Sequence, residues 1–372
     1  MRGRCLRTAL LSLLAALSSG CGGGNSASQS GPPPACTPLS PPTAAYITNG
    51  SNSTISMYTV NSCTGGLTPT TPPTVAAGQF PNGVTVDSSG AFVYAVNVFD
   101  NTVSMYTIDS STGVLTPTTP PTVAAGGSPG FVAIDPSTKF VYVANEDDTL
   151  SMYTINSTTG VLTPTVPATV ATGEVPIGVT VDPSGKFVYA INDFDNTVSM
   201  YTINSTTGVL TPTTPATIAT GTTPVDITVA ASGKFVYVPN QNDNTVSIYS
   251  INSDGTLTAG TPLATTGNEP ESLAVDPSSK FAFVANLADS TIAMYTINSS
   301  TGALTPNSPA TIGTETQPVF LEMAPSGKFL YVVSHQTNVV SIYAISSSGI
   351  LTAAGSVTTN NPEYIALTAA AK

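Results

Sequence analysis

One unit of about 47 residues, clearest over 175–221 as VPIGVTVDPSGKFVYAINDFDNTVSMYTINSTTGVLTPTTPATIATG, recurs along almost the whole of this 372-residue chain. The aromatic of its S-M-Y-T segment falls at Tyr58, Tyr106, Tyr153, Tyr201, Tyr249, Tyr295 and Tyr343, in steps of 48, 47, 48, 48, 46 and 48. The aromatic of F-V-Y-x-x-N falls at Tyr46, Tyr94, Tyr142, Tyr189, Tyr237, Phe283 and Tyr331. A proline opens the following segment at Pro81, Pro129, Pro176, Pro224, Pro270, Pro318 and Pro362. Seven returns at a fixed period in the high forties, without helical periodicity, predict propeller blades or a related β array.

Each unit reads as four short strands. Over 178–182, Val179 and Val181 alternate with small or polar residues, and 186–191 is β-branched and aromatic throughout. Asp182-Pro183-Ser184-Gly185 joins the two, with Pro presetting φ and Gly supplying the positive φ of a tight hairpin. The third strand spans 197–203, entered through Asp195 and Asn196 and left through 204–208. The fourth, 209–220, contains Pro212 and Pro215, which cannot donate to a ladder; it belongs at an exposed edge. The fourth strand is therefore outermost and the first innermost.

The chain ends predict how the array closes. The first unit starts at its second strand, 45–49, and the chain finishes on a lone first strand, 362–367. The last strand thus completes the first blade, and 45–372 form an all-β, seven-bladed β-propeller of four-stranded antiparallel blades.

The segments YAVN…DNTVSMYTI, YVAN…DDTLSMYTI, YAIN…DNTVSMYTI and YVPN…DNTVSIYSI, each followed by G-x-L-T and then by P-x-G-V-x-V-D-P-S-G-K, resemble the YVTN-repeat propellers and the related seven-bladed lactonase (6-phosphogluconolactonase-like) family. The resemblance covers the chain after residue 44. It implies the same fold and, as an activity, hydrolysis of a lactone by Arg, His and Glu residues that hold an anionic substrate. This chain has one His, His335, and no Arg after Arg7. Without a guanidinium fork, a phosphorylated or carboxylated substrate is hard to bind.

Residues 1–20 carry Arg2, Arg4 and Arg7, a short apolar run and then Ser18-Ser19-Gly20, the pattern of a secretory signal peptide too short to span a bilayer. Cys21 follows small residues as in a bacterial lipobox, which predicts cleavage before it and acylation of its thiol, although Leu17 stands one place too far back. Residues 21–44 then form a Gly/Ser- and Pro-rich tether. The two remaining cysteines, Cys36 and Cys63, are expected to pair in an exported protein, stapling the tether to the first blade. The chain after Cys21 bears a net charge of −15, six Lys against 21 acids, and so repels nucleic acid and anionic lipid.

Strand direction alternates within a blade, so the loops between blades and those between second and third strands share one face. These loops differ from unit to unit, whereas the other face repeats. Glu322 stands where the other blades carry Thr85, Ala133, Thr180, Thr228, Ala274 and Ala366, so its charge must be paired, protonated or turned to the central channel. Glu322 and His335 are the candidate catalytic residues; Glu322 reads equally as a structural hydrogen-bonding group, and His335 reads more readily as a solvated loop residue than as a base, because no Ser or Cys nucleophile motif accompanies it. Asp226, Glu269, Glu271, Gln317, Glu363, Phe131, Phe320 and Tyr364 are the candidate ligand-binding set. The recurrent Asp100, Asp148, Asp195, Asp243 and Asp289 fit an Asx-type turn; Ca²⁺ is the one cation to consider there, but the EF-hand spacing of acids is absent. No other metal and no cofactor is expected.

The reading that follows is an exported, lipid-anchored monomeric propeller presenting its variable face to a protein, glycan or small-molecule ligand at the bacterial cell envelope; the alternative, which the resemblance alone implies, is a lactone hydrolase. Replacing Cys21 by Ser is expected to release the protein from the membrane fraction or leave an unprocessed precursor; fractionation and mass spectrometry of the amino terminus check this.

Overall fold

The computed structural model describes residues 43–260 and 263–369. Among them are seven antiparallel sheets and a single helical turn, Gly50–Asn52. The fourth blade shows the plan: Pro176–Val181 innermost, then Phe187–Asn192, Thr197–Ile203 and Leu210–Ala219 at the rim. Its strands match the sequence reading within two residues at each end. Every residue of Phe187–Asn192 is buried, because neighbouring blades cover both faces of the sheet, and such a strand reads as an unbroken apolar run. The rim strand is largely exposed and carries the prolines, as its missing donors require.

The first blade has the order Pro362–Leu367, Thr43–Asn49, Thr54–Val60, Leu67–Ala76, so the carboxy-terminal strand closes the ring. Ala45, Tyr46 and Ile47 lie opposite Leu367, Ala366 and Ile365. Beyond the strand, the Thr368 N–H donates to the Ala44 carbonyl at 2.9 Å.

The repeated tyrosines join blade to blade. The hydroxyl of Tyr189 donates to the Gly255 carbonyl of the next blade at 3.0 Å, and Tyr46, Tyr94, Tyr142 and Tyr237 do the same to Gly113, Gly160, Gly208 and Gly302. Tyr331 of the seventh blade reaches Gly65 of the first at 2.8 Å, so the same bond spans the closure. These acceptor glycines sit in left-handed turns, Gly208 at φ 74°, and a side chain there would collide with Phe140 of the preceding blade. The S-M-Y-T tyrosines point the other way, Tyr201 donating to Ala171 of the preceding rim strand at 2.7 Å.

Phe283 has no hydroxyl for this junction, and the Nδ2 of Asn307, on the same blade, donates to the Gly349 carbonyl instead at 3.2 Å. Asn307→Ala should therefore leave that carbonyl without its side-chain donor and destabilise the fold by about 1 kcal/mol. Adding Phe283→Tyr should restore the loss. Denaturant unfolding of the single and double variants checks both.

Candidate functional site

The inner strands surround an axial cavity of about 350 Å³. Its wall includes the residue four places after each opening proline: Thr85, Ala133, Thr180, Thr228, Ala274, Glu322 and Ala366. These seven share a register, each opposite the Tyr or Phe of its own second strand, as Thr180 is opposite Tyr189 and Glu322 opposite Tyr331. The unmatched glutamate noticed in the sequence thus faces the channel.

A second acid joins it from blade five. There the inner strand shrinks to Thr228–Val229, and the second strand carries Pro239 where blade four carries Ile191. In blade four Ile191 pairs with Gly178, whose counterpart in blade five is Asp226. Proline has no N–H to give the ladder at that point and the inner strand is interrupted there, while the Asp226 carboxylate accepts from donors around it. Its Oδ1 accepts the Ile227 N–H at 2.7 Å, while its Oδ2 accepts the Leu273 N–H and the Ser272 hydroxyl, both at 2.9 Å. The Ser272 Oγ in turn accepts the Leu321 N–H at 3.1 Å, the backbone beside Glu322. One chain of hydrogen bonds therefore crosses blades seven, six and five.

Glu322 has no hydrogen-bond partner among the described residues. Asp226 and Glu322 both touch the channel space and are half-buried there, so water reaches them from the open part of the channel while protein surrounds them on the other sides. Burial and, after it, the Asp226 charge push the Glu322 carboxyl up to about 8. Burial raises Asp226 as well, against its three hydrogen bonds, which favour the ionised form. The cavity wall contains no Lys, Arg or His, so a proton is the counter-charge the pair can take up, and the three donors on Asp226 favour placing it on Glu322.

Phe131, Phe320 and Tyr364, two places after their prolines, meet toward the loop end of the channel. Tyr364 packs on Phe320 and Phe131 with ring centroids 4.6 Å and 5.3 Å apart, although the three come from blades one, seven and three. The intervening blade two carries Gly83, where a Cβ would stand 2.9 Å from the Phe131 Cα. Phe131 and Phe320 also line the cavity. The expected aromatic set is thus brought together, with Phe131 and Phe320 in the wall that also carries Asp226 and Glu322.

The other candidates lie apart from the cavity wall. His335 Nδ1 is 3.4 Å from Glu363 Oε2, across the junction of blades seven and one, and Asn361 Nδ2 donates to Glu363 Oε1 at 2.9 Å. Glu363 holds His335 above the ordinary imidazole range. The Glu271 carboxylate accepts from the Gln241 amide, Glu269 is exposed on the loop face, and Gln317 is half-buried in a left-handed turn. The acids grouped in the sequence as one cluster therefore divide between the channel and the loop face. Cys63 is disulfide-bonded, while its expected partner Cys36, like the leader and Cys21, lies outside the described residues.

The recurrent aspartates staple loops to each other. Asp100, Asp195, Asp243 and Asp289 each accept, through Oδ2, the backbone N–H of Gln79, Glu174, Thr222 and Asn268 in the loop leading into their own blade. In blade three the loop is one residue shorter, and Asp147 fills this role, bonding the Gly127 N–H. Asp148 does not belong to the series: it takes the left-handed position of Asn196, with φ 65°, and bonds Val175 of the next blade.

A closed ring of seven blades around an axial cavity lined by two acids defines a seven-bladed propeller. The chain belongs to the family described as "Lactonase, 7-bladed beta-propeller", whose model matches residues 40–130, 116–225 and 183–315. Among solved structures it is similar to a candidate 6-phosphogluconolactonase of Bacteroides uniformis, at 21% identity over 88% of this chain and 99% of that one, with a TM-score of 0.76. It is similar also to the periplasmic gluconolactonase PpgL of Pseudomonas aeruginosa, at 17% identity over 88% and 99%, TM-score 0.74. Kuenenia stuttgartiensis hydrazine synthase shares the fold at 19% identity over 85% and 98%, TM-score 0.61. No curated protein matches the chain. At such identities the likeness speaks for the fold, which hosts many chemistries.

The raised Glu322 carboxyl gives a stability signature. Between its ordinary value of 4.5 and about 8 the folded chain retains a proton that the unfolded chain has released. Its contribution to stability is fully present below 4.5 and is lost as pH rises to about 8. Glu322→Gln should thus match the wild type near the lower pH and grow progressively more stable than it across this window. Unfolding of both proteins against pH checks this; a difference that does not change with pH contradicts it.

Proposed function

We propose that this protein hydrolyses a lactone in the axial cavity, with Asp226 as general base and Glu322 as general acid. The observation that carries the reading is the presence of two carboxyl groups in the wall of one axial cavity, where unequal hydrogen bonding lets one stay ionised and the other protonated. Membership of the lactonase propeller family supports the same chemistry.

Water held between Asp226 and the lactone carbonyl gives a proton to the Asp226 carboxylate as its oxygen bonds to the acyl carbon. The acyl carbon–ring oxygen bond then breaks, and the departing ring oxygen takes the Glu322 proton. The product is a hydroxy acid. Asp226 now holds the proton and Glu322 the charge; transfer of that proton back through water resets the pair. A cavity of about 350 Å³ falls within the size range of small-molecule sites. With no cation in its wall and two acids facing the space, the site suits an uncharged lactone.

We also propose that the protein is exported and anchored at the cell envelope through Cys21; the leader pattern supports this, as does a structural relative described as periplasmic. A second reading, a ligand-binding propeller without catalysis, is favoured by Phe99 and Phe194 on the loop face, 58% and 54% exposed.

Hydrolysis of uncharged lactones by the purified protein tests the main reading. Glu322→Gln and Asp226→Asn should each lower kcat/KM by about a hundredfold or more. The wild-type rate should fall as pH rises past about 8, where Glu322 loses its proton. Absence of hydrolysis across such a panel would leave the loop-face binding role as the better account.

A further inference from the structure

Ser272 connects the two channel acids. It is buried, 1% exposed, on the inner strand Pro270–Val275 of blade six, between the Asp226 segment of blade five and the Glu322 strand of blade seven. Its Oγ accepts the Leu321 N–H at 3.1 Å, so its single hydroxyl proton is free to point to Asp226 Oδ2, 2.9 Å away. A serine hydroxyl can donate only once. With a backbone donor occupying one side of the oxygen, the hydroxyl has a fixed direction, and its dipole favours charge on Asp226. No other blade offers this arrangement: at the positions equivalent to Ser272 stand Gly83, Phe131, Gly178, Asp226, Phe320 and Tyr364.

We propose that Ser272 is a positioning residue that decides which channel carboxyl holds the proton, keeping Asp226 ionised as base and leaving the proton on Glu322 as acid. This rests on the lactonase reading for its catalytic consequence, but the proton's location can be measured without any reaction. Asp226 and Glu322 are the only acids in the cavity wall, and the wall has no basic residue. Glu271, next in sequence to Ser272, is engaged by Gln241, and His335 and Glu363 pair with each other away from the wall. The two groups that exchange the proton are therefore the two that Ser272 separates.

The physical consequence is directional. Ser272→Ala removes a donor from Asp226 and leaves the Leu321 N–H without its acceptor. Asp226 then holds its charge less well and takes up part of the shared proton, so Glu322 ionises at lower pH. Ser272→Thr keeps the hydroxyl and should preserve the distribution.

The test follows Glu322 directly, by the side-chain carboxyl ¹³C shift of the full protein labelled at glutamate and assigned with Glu322→Gln. In the wild type and Ser272→Thr the Glu322 midpoint should lie near 8, and in Ser272→Ala it should fall by about one pH unit, the size of a lost hydrogen bond to a charged group. On an uncharged lactone, Ser272→Ala should lower kcat by about tenfold with little change in KM and move the alkaline limb of the rate profile downward. If Ser272→Ala leaves the Glu322 midpoint in place, the proposal is overturned, even where thermal stability drops, because a purely structural serine would do only that. If the midpoint moves but no lactone is hydrolysed by the wild type, the proton-placing role stands and the lactonase reading fails.

Discussion

Six of the seven blades are held to the next by a buried tyrosine hydroxyl that donates to a glycine carbonyl, and the ring closes through these bonds. With the seventh made differently, the junctions must still close on themselves, so a change at one has to be met locally. Phe283 shows this: where the hydroxyl is missing, Asn307 supplies a donor to Gly349 from a different strand of the same blade. The last junction, Tyr331 to Gly65, lies beside the pairing of the carboxy-terminal strand with Thr43–Asn49. Because closure sets the inner strands in one register, seven side chains from residues up to 281 positions apart face a single space. The channel is a product of the seams, and its chemistry depends on the few blades that depart from the repeat.

Two departures make the site. In blade five, Pro239 withholds a ladder donor, and the inner strand yields an aspartate that bonds into blade six. In blade seven, an ordinary ladder carries a glutamate into the channel where other blades carry Thr or Ala. Two carboxylates half-buried in a channel wall repel each other more strongly than in water. Elsewhere a lysine or arginine would resolve the conflict, but the wall has neither. A proton is the remaining counter-charge, and unequal hydrogen bonding decides where it sits. Acid and base thus arise from two like groups through their surroundings.

Much of the fold was legible in the chain. The period, the proline-bearing rim strands and the offset between the two ends specify a closed ring of seven blades, since each depends on local spacing. Glu322 was also visible, as a charge among small residues at one repeat position. The role of Asp226 was less so: it was noted as one acid among several, whereas its partners Ser272 and Leu273 lie 46 and 47 positions away and belong to another blade. Its one local sign was the proline of YVPN in a strand that elsewhere has none. His335 drew notice as the lone histidine, but the fold places it against Glu363 on the loop side, outside the wall that Glu322 lines. Asp148 was misaligned because one loop is a residue short, a change that composition hides and backbone conformation reveals.

The central claim is that one proton resides on Glu322 beside an ionised Asp226. Neutron diffraction from a deuterium-exchanged crystal at near-neutral pD addresses it without assuming any substrate. The account predicts a deuteron on the Glu322 carboxyl, none on Asp226, and a Ser272 deuteron directed at Asp226 Oδ2. Nuclear density for a deuteron on Asp226 with Glu322 bare, or for neither carboxyl protonated, would contradict it.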